Sequence, residues 1–212
     1  MKRDEALEII LSTKIIAIIR MSDSAKLLQV ADALRAGGVR ALEVTMTTPG
    51  ALEAIKALSR TKAAGVLIGA GTVLDAETAL ATIRSGADFV VSPVTDFETI
   101  RVCRENGIVV APGAMTPTEI VAAWNHGADI VKVFPATSVG TQFFRELKGP
   151  LPGIRLMPTG GVNAENARAF IEAGACAVAV GTAILDKKAI ETGAWDVLVR
   201  KAQALVDSLR GF

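Results

Sequence analysis

Histidine and cysteine are scarce in this 212-residue chain. His126 is the only histidine, and no second histidine or local cysteine pair stands near it. Zinc sites need clusters of such ligands, so we expect no metal centre and an ordinary helix-end role for His126. Cys103 and Cys176 are far apart in sequence and form no CxxC motif, which predicts two buried thiols rather than a redox pair.

The chain also lacks a charge excess and a long apolar run. Lys and Arg total 23, Asp and Glu total 22, and no basic block offers nucleic acid a footprint. The longest run without a charge or histidine, 173–185, has 13 residues, short of the roughly 20 that span a membrane. Glu5 and Glu8 stand where a signal peptide needs an apolar core. We therefore expect a cytoplasmic protein with no nucleic-acid or membrane partner.

Small and aliphatic residues make up most of the sequence. Half of the residues are hydrophobic but only 4% are aromatic, a composition typical of helices packed tightly on a sheet. A chain of this length is long enough for one sizeable core and falls within the range of a single α/β barrel.

A local pattern recurs along the chain. A helical stretch ends at glycine and a β-rich run follows, as in Ser85-Gly86-Ala87-Asp88 and His126-Gly127-Ala128-Asp129. Glycine accepts the left-handed turn that ends a helix, so each instance indicates one βα unit. The predicted strands are 15–20, 40–45, 66–70, 88–92, 108–111, 129–134, 155–158 and 176–180. The predicted helices are 3–12, 24–37, 51–63, 75–86, 96–106, 117–127, 140–148, 164–174 and 195–210.

Eight strands, each followed by a helix, predict an α/β fold: a (β/α)8 TIM barrel with an extra N-terminal helix, forming one domain over residues 1–212. The helix starts carry cap-like residues, namely Ser22 or Asp23, Thr48, Asp75, Thr95 or Asp96, Thr116 and Asn163. A doubly wound sheet is the alternative. However, Gly69-Ala70-Gly71 lacks the third glycine of a dinucleotide fingerprint and no GK[ST] occurs, so we expect no cofactor.

A lysine stands in the middle of an apolar strand. Alternation places Lys132 on one face with Ile130 and Phe134, where an ammonium is costly unless it is paired or loses its proton. One interpretation is a lysine that reaches solvent at the strand end, and the other is a desolvated nucleophile.

A glutamate on the second strand favours the nucleophile. Leu42 and Val44 suit the helix-facing side, which turns Glu43 into the barrel, as the same argument turns Lys132. Active residues of such barrels lie at the C-terminal ends of the strands, so the two groups form a candidate acid/base and nucleophile pair. The alternative is a buried structural ion pair.

Glycines follow the last two strands. Gly160 and Gly161 precede a predicted helix, and Gly181-Thr182 follows strand eight. Backbone N–H groups at such positions can surround a phosphate. The alternative is that the glycines serve only tight turns.

Several motifs occur in a fixed order over about residues 5 to 210. They are Leu42-Glu43-Val44-Thr45, Gly69-Ala70-Gly71-Thr72-Val73, Ser92-Pro93, Pro112-Gly113, Lys132-Val133-Phe134-Pro135-Ala136 and Pro158-Thr159-Gly160-Gly161-Val162. Together they resemble the 2-keto-3-deoxy-6-phosphogluconate aldolase family, which includes 4-hydroxy-2-oxoglutarate aldolases.

The resemblance implies a class I aldolase, usually a homotrimer, that cleaves 2-keto-3-deoxy-6-phosphogluconate to pyruvate and glyceraldehyde 3-phosphate. It implies Lys132 as the Schiff-base lysine and Glu43 as the proton-transfer residue. Some members carry arginine at the position of Thr47 and others at the end of strand one, as Arg20 is here, so Arg20 and Thr47 are the candidates beside the substrate carboxylate. It also implies Thr72, Pro93, Phe134 and Thr159 around the pyruvate part, and Gly160, Gly161, Gly181 and Thr182 around the phosphate.

Three alternatives to this function stay open. A metal-dependent aldolase needs several ligands, usually histidines, of which the chain has one. A phosphosugar isomerase or epimerase on the same fold could use the same Glu and Lys. A non-catalytic barrel that serves as an assembly subunit, natural or engineered, is the third.

Overall fold

Parallel strands alternate with helices along residues 2–212, the part of the chain that the computed structural model describes. The strands are β1 Ile15–Ile19, β2 Ala41–Thr45, β3 Leu67–Gly71, β4 Phe89–Val91, β5 Val109–Ala111, β6 Gly113–Ala114, β7 Val131–Val133, β8 Leu156–Pro158 and β9 Val178–Val180. The helices are α1 Arg3–Thr13, α2 Leu27–Ala36, α3 Ala51–Thr61, α4 Ala76–Arg84, α5 Phe97–Glu105, α6 Pro117–Asn125, α7 Gly140–Lys148, α8 Ala167–Glu172, α9 Lys187–Thr192 and α10 Trp195–Ser208.

The strands form a closed ring. The order β5-β4-β3-β2-β1-β9 gives one curled sheet and β6-β7-β8 another. β5 and β6 are two parts of one barrel strand that is interrupted at Pro112, whose carbonyl accepts the Lys132 N–H at 2.8 Å. A bridge between Thr159 and Ala179 joins β8 to β9. Eight barrel strands result, and the predicted (β/α)8 barrel with an extra N-terminal helix is confirmed.

Two cores follow from the alternation of side chains. Leu42, Val44, Val131 and Val133 belong to the outer core between strands and helices. The inner core fills the barrel and comprises Ile16, Ala41, Leu67, Phe89, Val91, Val109, Ala111, Ile130, Met157, Ala177 and Ala179, together with Ala6 and Ile10 of α1. Since α1 shares this inner core, it packs against the N-terminal ends of the strands, and the C-terminal ends form what we call the barrel mouth.

Three predicted helix caps are confirmed. Asp75 accepts the Thr78 N–H and Asp96 accepts the Thr99 N–H, each at 2.7 Å, while Thr116 and Glu119 form a capping box. Each cap satisfies an N–H group that the first helical turn leaves without a partner.

Three predicted helix starts are wrong. The N-cap of α3 is Gly50 rather than Thr48. α2 begins at Leu27 because Asp23 accepts the Ala25 N–H in a turn that precedes the helix. α8 begins at Ala167 because the Asn163 side chain accepts from Glu165 and Asn166, which holds these residues in a turn.

One helix and one short turn were not predicted. Asp186 caps α9 by accepting the Ala189 N–H at 3.0 Å, and Gly193, in the left-handed conformation, ends it. A 3-10 turn, Ala136–Ser138, follows β7. Within residues 2–212, no helix is both long and apolar enough to cross a bilayer.

Candidate active site

Glu43 on β2 and Lys132 on β7 both lie inside the barrel near its mouth. The neighbours of each residue along its strand pack in the outer core, so both side chains take the inward face that alternation predicts. Glu43 is 1% exposed and Lys132 is 5% exposed. The lysine therefore does not reach solvent at the strand end, and that interpretation is wrong.

The carboxyl group of Glu43 occupies space that Gly71 leaves free, since a Cβ at Gly71 would overlap Glu43 Oε1. Gly69 is the register partner of Glu43 on β3, and the space beside Gly69 is filled by the Phe89 ring. Within the described chain, Glu43 Oε2 is buried without a hydrogen-bond partner. Burial raises the pKa of Glu43, and the opposing effects of the Lys132 and Arg20 charges are smaller. This carboxyl group is therefore protonated at a higher pH, nearer neutrality, than an ordinary glutamate.

The amine of Lys132 is also held away from water. Its Nζ lies 4.9 Å from the centroid of the Phe134 ring. Burial lowers the pKa of Lys132; the Glu43 charge opposes this shift and the Arg20 charge adds to it. Among residues 2–212, neither Lys132 nor Glu43 takes part in an ion pair within 4.0 Å. Within residues 2–212, Glu43 and Lys132 therefore do not form the buried structural ion pair that was the alternative interpretation.

This arrangement supports a definite chemistry. A neutral amine is a nucleophile toward carbonyl carbon, and desolvation is a standard way to obtain one from lysine. A carboxyl group whose pKa is raised can both donate and accept a proton near neutral pH. Strongly perturbed groups that face each other in a barrel mouth mark a candidate active site.

Arg20 follows β1 at the same end of the barrel. Its guanidinium donates to Thr72 Oγ1 at 3.3 Å, and Thr72 has a positive φ of 57° that is rare outside glycine. Its charge lowers the pKa of both Glu43 and Lys132, which brings Arg20 into the electrostatic surroundings of the pair. Thr47 is exposed and its hydroxyl lies 3.1 Å from Thr45 Oγ1.

The other predicted pyruvate contacts lie around the lysine. Thr159 is buried, and within residues 2–212 its hydroxyl has no hydrogen-bond partner. Phe134 is 38% exposed and presents its ring to Lys132 Nζ. Pro93 packs against Gly113, where a Cβ would overlap the Pro93 carbonyl, and Gly113 is the register partner of Lys132. Gly113 therefore lets the Pro93 segment approach the lysine strand closely.

The predicted phosphate loops follow adjacent strands. Gly160 and Gly161 have φ of 93° and 72°, and a Cβ at Gly161 would overlap the methyl group of Thr137. Gly181 accepts the N–H groups of Ile184 and Leu185, each at 3.1 Å, and Thr182 is exposed. The Thr159–Ala179 bridge brings the two loops side by side. The predicted helix start at Asn163 is wrong, so the N-terminus of α8 is farther along the chain from these glycines than expected.

Sequence reasoning missed the roles of small residues around the pair. Gly71 and Gly113 appeared only as members of motifs, yet both allow close approach to Glu43 or to the lysine strand. Their signal was glycine at a strand end, a position where the missing side chain permits close approach of a neighbouring segment. Thr45 and Thr48 form a hydroxyl cluster beside Arg20, and the spacing of threonines alone gave no sign of it.

A parallel barrel with a desolvated lysine and a buried carboxyl in its mouth is the arrangement of a Schiff-base-forming lyase. Comparison with known proteins narrows this class. The family model for KDPG and KHG aldolase matches residues 7–201. The 2-dehydro-3-deoxy-phosphogluconate aldolase of Pseudomonas aeruginosa is 36% identical over 195 residues, which cover 92% of this chain and 88% of that protein. The chain belongs to the KDPG and KHG aldolase family.

Solved structures agree with this assignment. The "Native KDPGal structure" superposes with a TM-score of 0.86 at 31% identity and covers 92% of this chain and 94% of its own. The KDPG aldolase of Legionella pneumophila, solved with pyruvate captured as a covalent carbinolamine, has a TM-score of 0.85 at 28% identity over 94% of this chain and 97% of that chain. The predicted family and an aldolase activity are confirmed, whereas an isomerase or a non-catalytic subunit is not favoured.

Proposed function

We propose that this chain reversibly cleaves 2-keto-3-deoxy-6-phosphogluconate to pyruvate and glyceraldehyde 3-phosphate through a Schiff base on Lys132. One observation carries the assignment of the nucleophile: Lys132 is buried in the barrel mouth with a lowered pKa, beside a buried carboxyl and, among residues 2–212, outside any ion pair within 4.0 Å. Membership of the KDPG and KHG aldolase family supports the substrate.

The proposed reaction begins when the Lys132 Nζ lone pair attacks the C2 ketone and forms a carbinolamine. Protonated Glu43 gives its proton to the carbinolamine hydroxyl, water leaves, and an iminium and a Glu43 carboxylate result. Glu43 then accepts the proton of the C4 hydroxyl as the C3–C4 bond breaks, and the bonding electrons move to the iminium and form an enamine. The aldehyde departs, Glu43 returns a proton to C3, and hydrolysis releases pyruvate and the free amine. Glu43 has to act in both protonation states, which its raised pKa supports.

Charged and polar groups around the pair are proposed to hold the substrate. Arg20 binds the keto-acid carboxylate, since it is the cation that acts on both Lys132 and Glu43. The remaining contacts divide between the two ends of the substrate. Thr47, Thr72, Pro93, Phe134 and Thr159 surround the pyruvate part, and Gly160, Gly161, Gly181 and Thr182 surround the phosphate.

Membership of the family is also the basis for a proposal about domain extent, assembly and location. The chain forms one barrel domain over residues 1–212, assembles as a homotrimer and acts in the cytoplasm on a small phosphorylated keto acid. Light scattering coupled to size-exclusion chromatography tests the assembly, and a monomer mass at micromolar concentration would contradict it.

An enzymatic assay tests the function. Purified protein is incubated with 2-keto-3-deoxy-6-phosphogluconate, and pyruvate and glyceraldehyde 3-phosphate are each quantified with and without EDTA. We expect equal amounts of both products and full activity in EDTA. Loss of activity in EDTA would favour the metal-dependent alternative. An isomerised six-carbon product without pyruvate would favour the isomerase, and no turnover of this substrate or of 4-hydroxy-2-oxoglutarate would contradict an aldolase.

A further inference from the structure

Arg20 lies just beyond the C-terminal end of β1, where the backbone is no longer held by the hydrogen bonds of the sheet. β1 ends at Ile19, and the Arg20 side chain is exposed; among residues 2–212 its one hydrogen bond goes to Thr72 Oγ1. A long exposed side chain samples many rotamers, so the direction of its charge depends on how firmly the backbone beneath it is held. The contacts of the two peptide groups that flank Arg20 are therefore informative.

Two buried threonines hold both of these peptide groups. The Met21 N–H, which follows Arg20, donates to Thr48 Oγ1 at 3.2 Å. Thr48 Oγ1 lies 3.3 Å from Thr45 Oγ1, and Thr45 Oγ1 donates to the Ile19 carbonyl, which precedes Arg20, at 3.4 Å. The chain of hydrogen bonds thus joins the Met21 N–H, on one side of Arg20, to the Ile19 carbonyl, on its other side.

The protons along this chain have one consistent order. Thr48 Oγ1 accepts from an N–H group, so its own proton is free to point toward Thr45. Thr45 accepts that proton and gives its own to the Ile19 carbonyl, and in this order the Thr47 hydroxyl, 3.1 Å from Thr45 Oγ1, is a second donor to Thr45. Each hydroxyl acts as donor and acceptor at once, and a methyl group in either position breaks the chain. Thr45 is 0% exposed and Thr48 is 2% exposed, so water has little access to replace a lost bond.

The same cluster joins Arg20 to the strand that carries Glu43. Thr45 is the last residue of β2, two positions beyond Glu43, and Thr48 closes a turn by donating its N–H to the Thr45 carbonyl at 2.9 Å. A shift of the Arg20 backbone relative to β2 would have to break at least one of these bonds. The backbone that carries Arg20 and the strand that carries Glu43 are thereby held in a fixed relation.

We propose that Thr48, acting with Thr45, is a positioning residue that aims the Arg20 guanidinium at the carboxylate of the keto-acid substrate. This inference rests on the proposed function of Arg20 and extends it to residues that touch no substrate. Its alternative is a threonine that merely stabilises the β2–α3 turn.

Thr48→Val tests the proposal because valine keeps the shape and removes both hydrogen bonds. We expect KM for pyruvate in the condensation direction to rise about tenfold, roughly the effect of losing one buried hydrogen bond, with a smaller change in kcat. The charged groups that act on Lys132 are Glu43 and Arg20, so a displaced Arg20 should also move the acid limb of the pH–rate profile upward. Thr48→Ser should restore both quantities, since serine keeps the hydroxyl.

A matched control comes from Thr82, which is 0% exposed and whose hydroxyl donates to the Ala79 carbonyl within α4 at 2.8 Å. Thr82→Val removes a buried hydroxyl from a distant helix and should leave KM and the pH profile unchanged. If Thr48→Val does not fold, Thr48→Ala is measured in its place, with thermal unfolding recorded for each variant. A wild-type KM and pH profile in a folded Thr48→Val or Thr48→Ala protein would overturn the proposal.

A double-mutant cycle separates aiming from general turn stability. In an Arg20→Met background there is no guanidinium to aim, so adding Thr48→Val should change KM by less than about twofold. Equal effects of Thr48→Val in both backgrounds would overturn the proposal. Borohydride trapping of wild-type protein with pyruvate keeps the two hypotheses apart: no adduct contradicts the proposed function, whereas an adduct together with an unaffected Thr48→Val contradicts only the positioning role.

Discussion

Buried carboxyl groups at the two ends of the barrel differ in whether their oxygens have hydrogen-bond partners. At the N-terminal end, Asp88 accepts the Ile68 N–H at 2.9 Å and pairs with Lys62. Asp129 accepts the Val110 N–H at 3.0 Å and pairs with Arg3. At the mouth, Glu43 is as buried as Asp129, yet its Oε2 has no hydrogen-bond partner within residues 2–212.

This difference separates structural from chemical roles. Each aspartate ends a Gly-Ala-Asp sequence and accepts the N–H of the second residue of a neighbouring strand. Its charge therefore helps to hold the N-terminal end of that strand. The unsatisfied atoms of Glu43 and Thr159 lie beside the lysine, where a substrate can supply the missing partners. Polar groups at the N-terminal end should therefore govern stability, and those at the mouth should govern turnover.

The largest expected effect is that of Lys132→Met. Removing the nucleophile should lower kcat/KM by at least about 10⁴-fold. Stability should not fall. Because burial lowers the pKa of Lys132, the unfolded chain binds more protons than the native chain between the native and the ordinary lysine pKa. Stability therefore rises with pH through that window, and at lower pH the buried lysine costs stability. Calorimetry at pH 7 should give an equal or higher unfolding temperature, and a marked decrease would indicate a structural ion pair instead.

Glu43→Gln should have the next largest effect. Glutamine keeps the shape beside Gly71 but cannot transfer protons, so turnover should fall by about 10²–10⁴-fold while the protein folds normally. Steady-state kinetics and circular dichroism measure the two parts. Turnover near that of the wild type would assign Glu43 to structure.

Asp129→Asn tests the other end of the barrel. It weakens a buried, charge-assisted contact with Arg3 and should lower the free energy of unfolding by about 1.5–3 kcal/mol, measured by urea denaturation. The folded variant should keep wild-type kcat and KM, because Asp129 lies in the part of the barrel that holds no chemistry. A decrease in kcat without a loss of stability would break the division between the two ends.

Arg20→Met should have a smaller effect on turnover than Lys132→Met or Glu43→Gln, and a distinct effect on pH dependence. The positive charge of Arg20 lowers the pKa of Lys132 and of Glu43, so its removal should raise both. Since catalysis needs the neutral amine, the acid limb of the kcat/KM profile should move to higher pH, and pyruvate should bind more weakly. An unchanged profile would mean that another group holds the carboxylate.

Alternation and glycine spacing were enough to predict the barrel and the inward faces of Glu43 and Lys132, because both depend on backbone geometry that is local and periodic. Contacts that depend on loop geometry were out of reach. Thr48 looked like a helix cap, yet Gly50 takes that position and the Thr48 hydroxyl turns to Met21 instead. The Asp129 pairing was equally hidden, since Arg3 is 126 residues away in sequence.

Trapping with pyruvate and borohydride, followed by peptide mapping, tests the central claim most directly. Reduction converts a Schiff base into a stable secondary amine that marks the reacting lysine. We predict one adduct, on Lys132, that is absent from Lys132→Met. Lys148, near the N-terminal end of the barrel, is the internal control, because its ammonium group donates to the Pro152 and Ile154 carbonyls at 3.4 and 3.3 Å. An adduct on Lys148, or none on the active wild-type protein, would contradict the assignment.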